Sequence, residues 1–545
     1  AGAENVTKTL IFSSWEMVPR MIASLTSYEA ERKTIGTLIK TNDLNAGYFA
    51  EEQRRYPLPK LNFKLNSDDK PAAMSLFCLL YPSKFLSGLY DPIDCLNRKL
   101  SLKEIEMEVK RKISAEIEKL PVSDGNLEDK RWYYVAPILL DEFEYFTEYV
   151  FHLTDALKKN DNDKRNKAYL RHCLELKAVG MKIEAGKPLG LGKMPSDLAE
   201  VLTDIAIASP ANCAYRSYKS KFTAFDCVFP TEFARTFVNK INTPESTAVI
   251  ELCYGAKNDD AFWQNVLTYC KAGNFQAMLD EYFHLLSNGV NGNDENAAAA
   301  VQEELIAATS VRATVYKADT LNGFKARVSD KNGRADRQII PFRSHFSVAF
   351  TKGDGDEKDF DRKKSLRGAF NSPFRPFVLA STSIGQEGLD FHNYCRRIVH
   401  WNLPANPIDF EQREGRINRY ECHAIRANIA KRYGGIRFKN DAWKEMGEEA
   451  KRVECTADTS ELVPYWGLTE STDMVKIERV VPMYPFSKDE PAYERLIKIL
   501  NLYRLTLGQA RQEELIEYVV KNRSDCEDLK QWFINLSPYF RNKEQ

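Results

Sequence analysis

What the 545-residue sequence lacks narrows it first. No two of its eleven cysteines have Cys-x-x-Cys spacing, and no Cys/His group has zinc-finger spacing, so no metal site is expected. Scattered single thiols fit a reducing cytoplasm, where disulfides are rare. An excess of one charge is missing too, since 77 Lys and Arg balance 77 Asp and Glu. Nucleic-acid binding would therefore have to come from local basic surfaces, not from a whole-protein field. No apolar run approaches the roughly 18–20 residues that span a bilayer, so no membrane partner is expected. The chain opens at Ala1 without a secretory leader and reads as strand from Lys8. That is the expectation for a segment from inside a longer protein.

A phosphate loop is also lacking. The stretch Gly186 to Lys193 imitates one, but Lys187 stands where glycine is required and Met194 replaces Ser or Thr, so it reads as a flexible basic loop. Ile138-Leu139-Leu140-Asp141-Glu142 imitates a magnesium-binding strand, yet Leu139, Phe143, Phe146 and Val150 have helical spacing. The acids Asp354, Asp356, Asp359 and Asp361 lack the glycine and glutamate of a calcium loop. His345, His392, His400 and His423 stand apart in sequence and suit packing roles.

What is present is material for large cores: 43% hydrophobic residues and 11% aromatics, at a length of several domains. Residues 8–13 read as a strand, and Met17 to about Ile39 as a helix, a β–α unit of an open α/β sheet. From about 41 to 340 the patterns are mainly helical, over 101–120, 137–157, 165–178, 196–208, 260–286 and 296–310. Strands return at 347–350, 377–380 and 397–401, with a short helix over 362–370. Residues from about 424 onward are again largely helical, apart from strand-like 475–481. The expected division is one α/β domain from 1–40 and 341–425, a mainly helical insertion over 41–340, and a mainly helical extension over 426–545. Such an insertion is tolerated because loop-closure cost grows only logarithmically with length.

Two stretches carry chemistry. In the first, Val378-Leu379-Ala380-Ser381-Thr382 runs into Ser383-Ile384-Gly385-Gln386-Glu387-Gly388-Leu389-Asp390. An apolar strand thus ends in hydroxyls, two glycines and an acid, at the strand end where α/β sheets place ligands. In the second, Asn406-Pro407 supplies a helix N-cap and first turn, and Gln412-Arg413-Glu414-Gly415-Arg416-Ile417-Asn418-Arg419 follows. Gln412, Arg416 and Arg419 share one face if the helix runs that far, and two arginines on one face suit a polyphosphate.

Gln-Arg-x-Gly-Arg-x-x-Arg at 412–419 resembles motif VI of superfamily-two helicases and translocases. Thr-Ser-x-Gly-x-Glu-Gly-Leu-Asp at 382–390 resembles motif V, and Leu10-Ile11-Phe12-Ser13-Ser14-Trp15 resembles motif IV. Arg362, Arg367 and Phe370-Asn371 resemble the Arg…Phe-Asn stretch of Swi/Snf-type translocases. The match covers about 120 residues, in the order of the second, helicase C-terminal RecA-like lobe.

The resemblance implies an α/β, RecA-like fold with a mostly parallel sheet. It implies Arg416 and Arg419 as arginine fingers on the γ-phosphate of ATP, with Gln412, Arg413, Gly388 and Asp390 on the nucleotide side. Ser13, Ser14 and Thr382 would touch a nucleic-acid backbone, DNA in preference to RNA. Mg2+ and the β-phosphate would be held by a first RecA-like lobe, upstream or on another chain, so this chain alone is expected to be inactive. Large bacterial helicase-like proteins, including those of defence systems, are the nearest analogy. A non-catalytic scaffold built on a degenerate lobe is the alternative, against which both arginines of motif VI argue.

Overall fold

The computed structural model describes residues 6–41, 59–121, 126–158, 164–257, 261–310, 314–319, 321–329, 339–350, 357–382, 389–456, 459–469, 473–505 and 512–522. Two compact units emerge: Ala1–Ala30, Val311–Ile436 and Trp443–Gln545 form one, Glu31–Ser310 and Arg437–Ala442 the other.

The first unit is built on a five-stranded sheet. Its strands are β1 (Lys8–Ser13), β4 (Ser347–Phe350), β5 (Val378–Thr382), β6 (Cys395–His400) and β7 (Glu478–Val480), in the order β4-β5-β1-β6-β7. Every neighbouring pair is parallel. A parallel sheet has both faces covered, and the side-chain alternation of β1 follows from that. Leu10 and Phe12 enter one core with Val348, Phe350, Leu366, Phe370, Leu379, Phe391, Ile398 and Ile417. Ile11 enters the opposite core with Ile22 and Ala380. The helix Met17–Thr41 supplies Val18 and Ile22 to the second core, while the helix Glu357–Phe370 supplies Leu366 and Phe370 to the first.

β1 is central, and Leu10 lies opposite Leu379 and Ile398. The first strand therefore shares a sheet with strands more than 360 residues downstream. Lys8 opens β1 from a buried position, its Nζ donating to the carbonyls of Ala369 (3.0 Å) and Phe374 (2.5 Å). At the far edge, Glu478 of β7 receives Arg396 and Arg397 of β6.

The structure corrects several expectations. An antiparallel pair, β2 (Thr314–Asp319) with β3 (Ile339–Ser344), and the helix Leu321–Ser329 fall in the first unit, so the α/β part resumes before residue 340. The span 137–157 is two helices, Trp132–Leu140 and Phe143–Lys158. The break is at Asp141, whose carboxylate accepts from Tyr81 Oη (2.7 Å) and Phe85 N (2.6 Å). Likewise 260–286 divides into Phe262–Ala272 and Phe275–Ser287, because Asn274 turns left-handed (φ 47°) and caps the second helix through Ala277 N. Gly186 to Lys193 is a pinned loop. Asp129 accepts from Gly192 N (2.9 Å), the Gly192 carbonyl accepts from Trp132 Nε1 (2.8 Å), and a Cβ on Gly192 would meet Leu127 O at 2.7 Å. The acids Asp354 and Asp356 lie outside the described residues.

The second unit is helical among its described residues. The helix expected over 101–120 is Leu102–Ile117, opened by a capping box in which Ser101 and Glu104 exchange hydrogen bonds. No helix among the described residues is long and apolar enough to cross a membrane.

Candidate functional site

Three strand ends form the first part of the site. Ser13 closes β1 opposite Thr382, which closes β5, and His400 closes β6 beside them. These are carboxyl ends of parallel strands, where open α/β sheets bind ligands. Ser14, just past β1, is exposed, while Ser13 is only 1% exposed and its Oγ accepts from Trp15 N (3.1 Å). Thr382 is buried at the same edge. Of the three hydroxyls expected to meet a backbone phosphate, only that of Ser14 is solvent-facing.

Asn402, two residues beyond β6, positions Ser14. Its Oδ1 accepts from Ser14 N (2.9 Å) and its amide donates to Ser14 Oγ. Sequence reasoning missed this residue, although an amide directly after a strand end is the signal that could have found it.

The helix Pro407–Glu414 brings the second part. Asn406 caps it by accepting from Ile408 N (2.9 Å), and Pro407 needs no partner in the first turn. The helix stops at Glu414, before Arg416, so Gln412, Arg416 and Arg419 do not share a continuous helical face. Gly415 N still donates to Glu411 O, and a loose turn carries the chain on. Gln412 is solvent-facing.

The three arginines have three environments. Arg413, expected on the nucleotide side, is turned inward and is 4% exposed. Its Nη1 donates to Asn402 O (3.2 Å) and its guanidinium lies over Phe12, 5.6 Å from the ring centre. Burial lowers its pKa. Arg416 is 8% exposed, with Nη1 donating to Leu389 O (3.3 Å), and its own carbonyl accepts from Phe391 N (2.9 Å). The side chain of Arg419 is 43% exposed, and its Nε donates to Asp390 Oδ1 (2.9 Å). Asp390 is fixed in turn by its carbonyl, which accepts from Asn371 Nδ2 (2.7 Å). Gly388 lies outside the described residues, as does the loop 383–387.

Glu414 anchors the helix. Its carboxylate receives Arg479 Nη2 (2.7 Å) and lies 3.3 Å from His400 Nε2. Burial opposes ionisation, yet these two partners hold the carboxyl below its usual range. His400 stacks on Phe410 at 4.2 Å between ring centres, and Arg479 covers the same ring at 4.6 Å. Phe410 also packs against Leu496 and Leu500 of the helix Asp489–Leu505.

Burial pushes His392 down to about 4, against the pull of Asp390 and with the help of Arg426, Arg419 and Arg367. His423 is pushed down to about 4 by burial, Arg426 and Arg396, and its backbone N–H donates to the His392 carbonyl (2.9 Å). Burial thus disfavours the charged form of both imidazoles, and His392 feels both members of the Arg419–Asp390 pair.

Residues 327–421 match the family model described as helicase conserved C-terminal domain. The match starts within the helix Leu321–Ser329 and ends just past Arg419, so β1 lies outside it while sharing the sheet. No curated protein and no solved structure matches the chain. The family match and the five-stranded parallel sheet together fit a helicase-type C-terminal lobe of α/β, RecA-like architecture.

Proposed function

We propose that the first unit is the second motor lobe of an ATP-dependent helicase or translocase acting on nucleic acid, DNA in preference to RNA. One observation carries the reading: the motif VI segment is tied to both other motifs. Arg413 holds Asn402, which holds Ser14 at the strand ends, while Arg416 and Arg419 hold Leu389 and Asp390. Movement of motif VI on meeting a nucleotide would thus reach the exposed Ser14 hydroxyl through two hydrogen-bonded steps. That is the coupling a translocase requires.

In this reading Arg419 and Arg416 meet the γ-phosphate of ATP, and Gln412 lies on the nucleotide side with Gly388 and Asp390. Arg413 acts from beneath as a support. The ion pair that holds Arg419 is half-exposed and worth about 0–1 kcal/mol, so exchanging Asp390 for a phosphate costs little. Bidentate guanidinium geometry suits that exchange. Mg2+ would be held mainly by the first lobe, since the sequence offers no phosphate loop.

The test is Asn402→Ala in an assembly that contains the first lobe. Ser14 loses its two holders, while the Arg413 bond to the Asn402 carbonyl survives. Basal ATP turnover should persist, and its stimulation by nucleic acid should fall at least several-fold. Unchanged stimulation, with a nucleotide analogue leaving nucleic-acid affinity unaltered, would sink the coupling and favour the scaffold alternative.

A further inference from the structure

The helical unit brings together three side chains that no spacing rule links. His152 lies on the helix Phe143–Lys158, and Asp226-Cys227 lies in the turn that enters the helix Phe229–Ile241. One ligand atom from each, an imidazole nitrogen, a carboxylate oxygen and the thiol sulfur, lies within 4.8 Å of the other two. His152 Nδ1 stands 3.5 Å from Asp226 Oδ1. We infer that His152, Asp226 and Cys227 form a binding site for a divalent transition-metal ion, zinc being the ion this donor set selects. The inference is independent of the motor reading.

The donor chemistry excludes hard cations. Calcium and magnesium take oxygen ligands, whereas a thiolate with an imidazole selects zinc and its neighbours. A tetrahedral zinc with bonds of about 2.0–2.3 Å needs ligand atoms about 3.3–3.8 Å apart. The cluster therefore closes onto an ion with movements on the order of 1 Å.

The platform is preorganised. Tyr149, one helical turn before His152, is fully buried and its Oη is 3.0 Å from Thr231 Oγ1 on the other helix. That bond fixes the imidazole's helix against the helix that follows Cys227. The Asp226 carbonyl accepts from Phe229 N (3.0 Å) and its Oδ1 from Val228 N (3.0 Å), which fixes the carboxylate in the turn. Phe225, just before the turn, stacks on Tyr218 at 5.2 Å.

The surroundings attract a cation. Beside the cluster is a cleft of about 370 Å³ lined by His152, Asp226, Asp155 and Glu232. Burial, then Asp226 and Glu148, push the Cys227 thiol up to about 12. Metal binding by a thiol releases its proton, so affinity should rise with pH. His152 is exposed, so the fourth position opens to the cleft, and water or a further carboxylate completes the shell.

The test uses the whole chain, stripped with a chelator and titrated with Co2+. One equivalent should bind, with visible bands of tetrahedral cobalt and a near-ultraviolet thiolate charge-transfer band, and Zn2+ should displace it. Cys227→Ser should abolish the charge-transfer band, and His152→Ala should weaken binding at least about tenfold. Zn2+ should also slow alkylation of Cys227 in the unaltered chain, mapped by mass spectrometry, a readout that needs no variant to fold. The site is overturned by absence of the band, by a band that survives Cys227→Ser, or by alkylation indifferent to zinc. None of these readouts depends on ATP turnover.

Discussion

At the scale of single residues, one motif holds three arginines that should fail in three ways. Arg413 is buried against Phe12 and the Asn402 carbonyl, so Arg413→Ala removes a cation–π contact, a hydrogen bond and packing. The expected cost is about 2–3 kcal/mol, read as a lower melting temperature. Arg419 is half-exposed on Asp390, so Arg419→Lys should leave stability within about 1 kcal/mol. In the two-lobe assembly it should cut turnover by about 10³–10⁵, because lysine lacks the planar fork. Arg416→Lys should lower both, since Arg416 also holds Leu389. Turnover, melting and nucleic-acid binding measured on the same variants decide the matter. If Arg419→Lys turns over within a few-fold of the parent, the finger assignment fails. The arginines' presence was readable in the sequence, but their environments were not. Arg413's burial depends on Phe12 and Asn402, and only the parallel register of β1 with β6 brings those residues to it.

At the scale of elements, the helix Pro407–Glu414 is held at its end by Glu414. Replacing that carboxylate by an amide in Glu414→Gln leaves the shape but removes the charge partner of Arg479 and the acceptor beside buried His400. A loss of about 1–3 kcal/mol is expected, and an equal effect of Arg479→Gln on the Glu414→Gln background would show that the two residues are uncoupled. The clamp also shows what sequence patterns carry. The start of the helix was legible, because Asn406-Pro407 acts within one turn. The end was not, because Gly415 and the loose turn answer to the docking of Arg416 on Leu389–Phe391. Strands of the parallel sheet were legible as apolar runs buried on both faces. The pair β2–β3 was not, since its partners lie across the helix Leu321–Ser329 and no tight turn marks them. Helices 210–221, 229–241 and 244–254 escaped for a related reason. Each begins at or near a proline, which reads locally as a breaker and here sits in the first turn.

At the scale of the molecule, two predictions concern how the chain behaves in solution. The first is linkage to protons. His392 and His423 titrate near 4 in the fold, against about 6.5 when unfolded, so the unfolded state binds more protons between those values. Their contribution is complete above about pH 6.5 and is lost as pH falls toward 4, on the order of 1–3 kcal/mol each. Melting followed from pH 7.5 to 4.5 should show this slope, and the double substitution His392→Gln with His423→Gln should flatten it. An unchanged slope would place the titrating groups elsewhere. The second prediction concerns turnover. Within this sequence the only glycine-rich imitation of a phosphate loop is pinned to Asp129 and Trp132 and lacks the required glycine and hydroxyl. In the acidic imitation of a magnesium site, the Asp141 carboxylate is spent on Tyr81 and Phe85 and burial raises its pKa to about 6, while Glu142 pairs with Lys84. Neither imitation is thus built to hold a β-phosphate or magnesium, and arginines that stabilise a transferring phosphoryl group can do so only after others have bound it. The 545-residue chain alone should therefore show no nucleic-acid-stimulated ATP hydrolysis. Adding the first lobe should restore hydrolysis in a manner that requires Arg419. Robust turnover by the purified chain, retained in an Arg419→Ala control and free of contaminating activity, would mean that the nucleotide is held by residues other than those of motif VI.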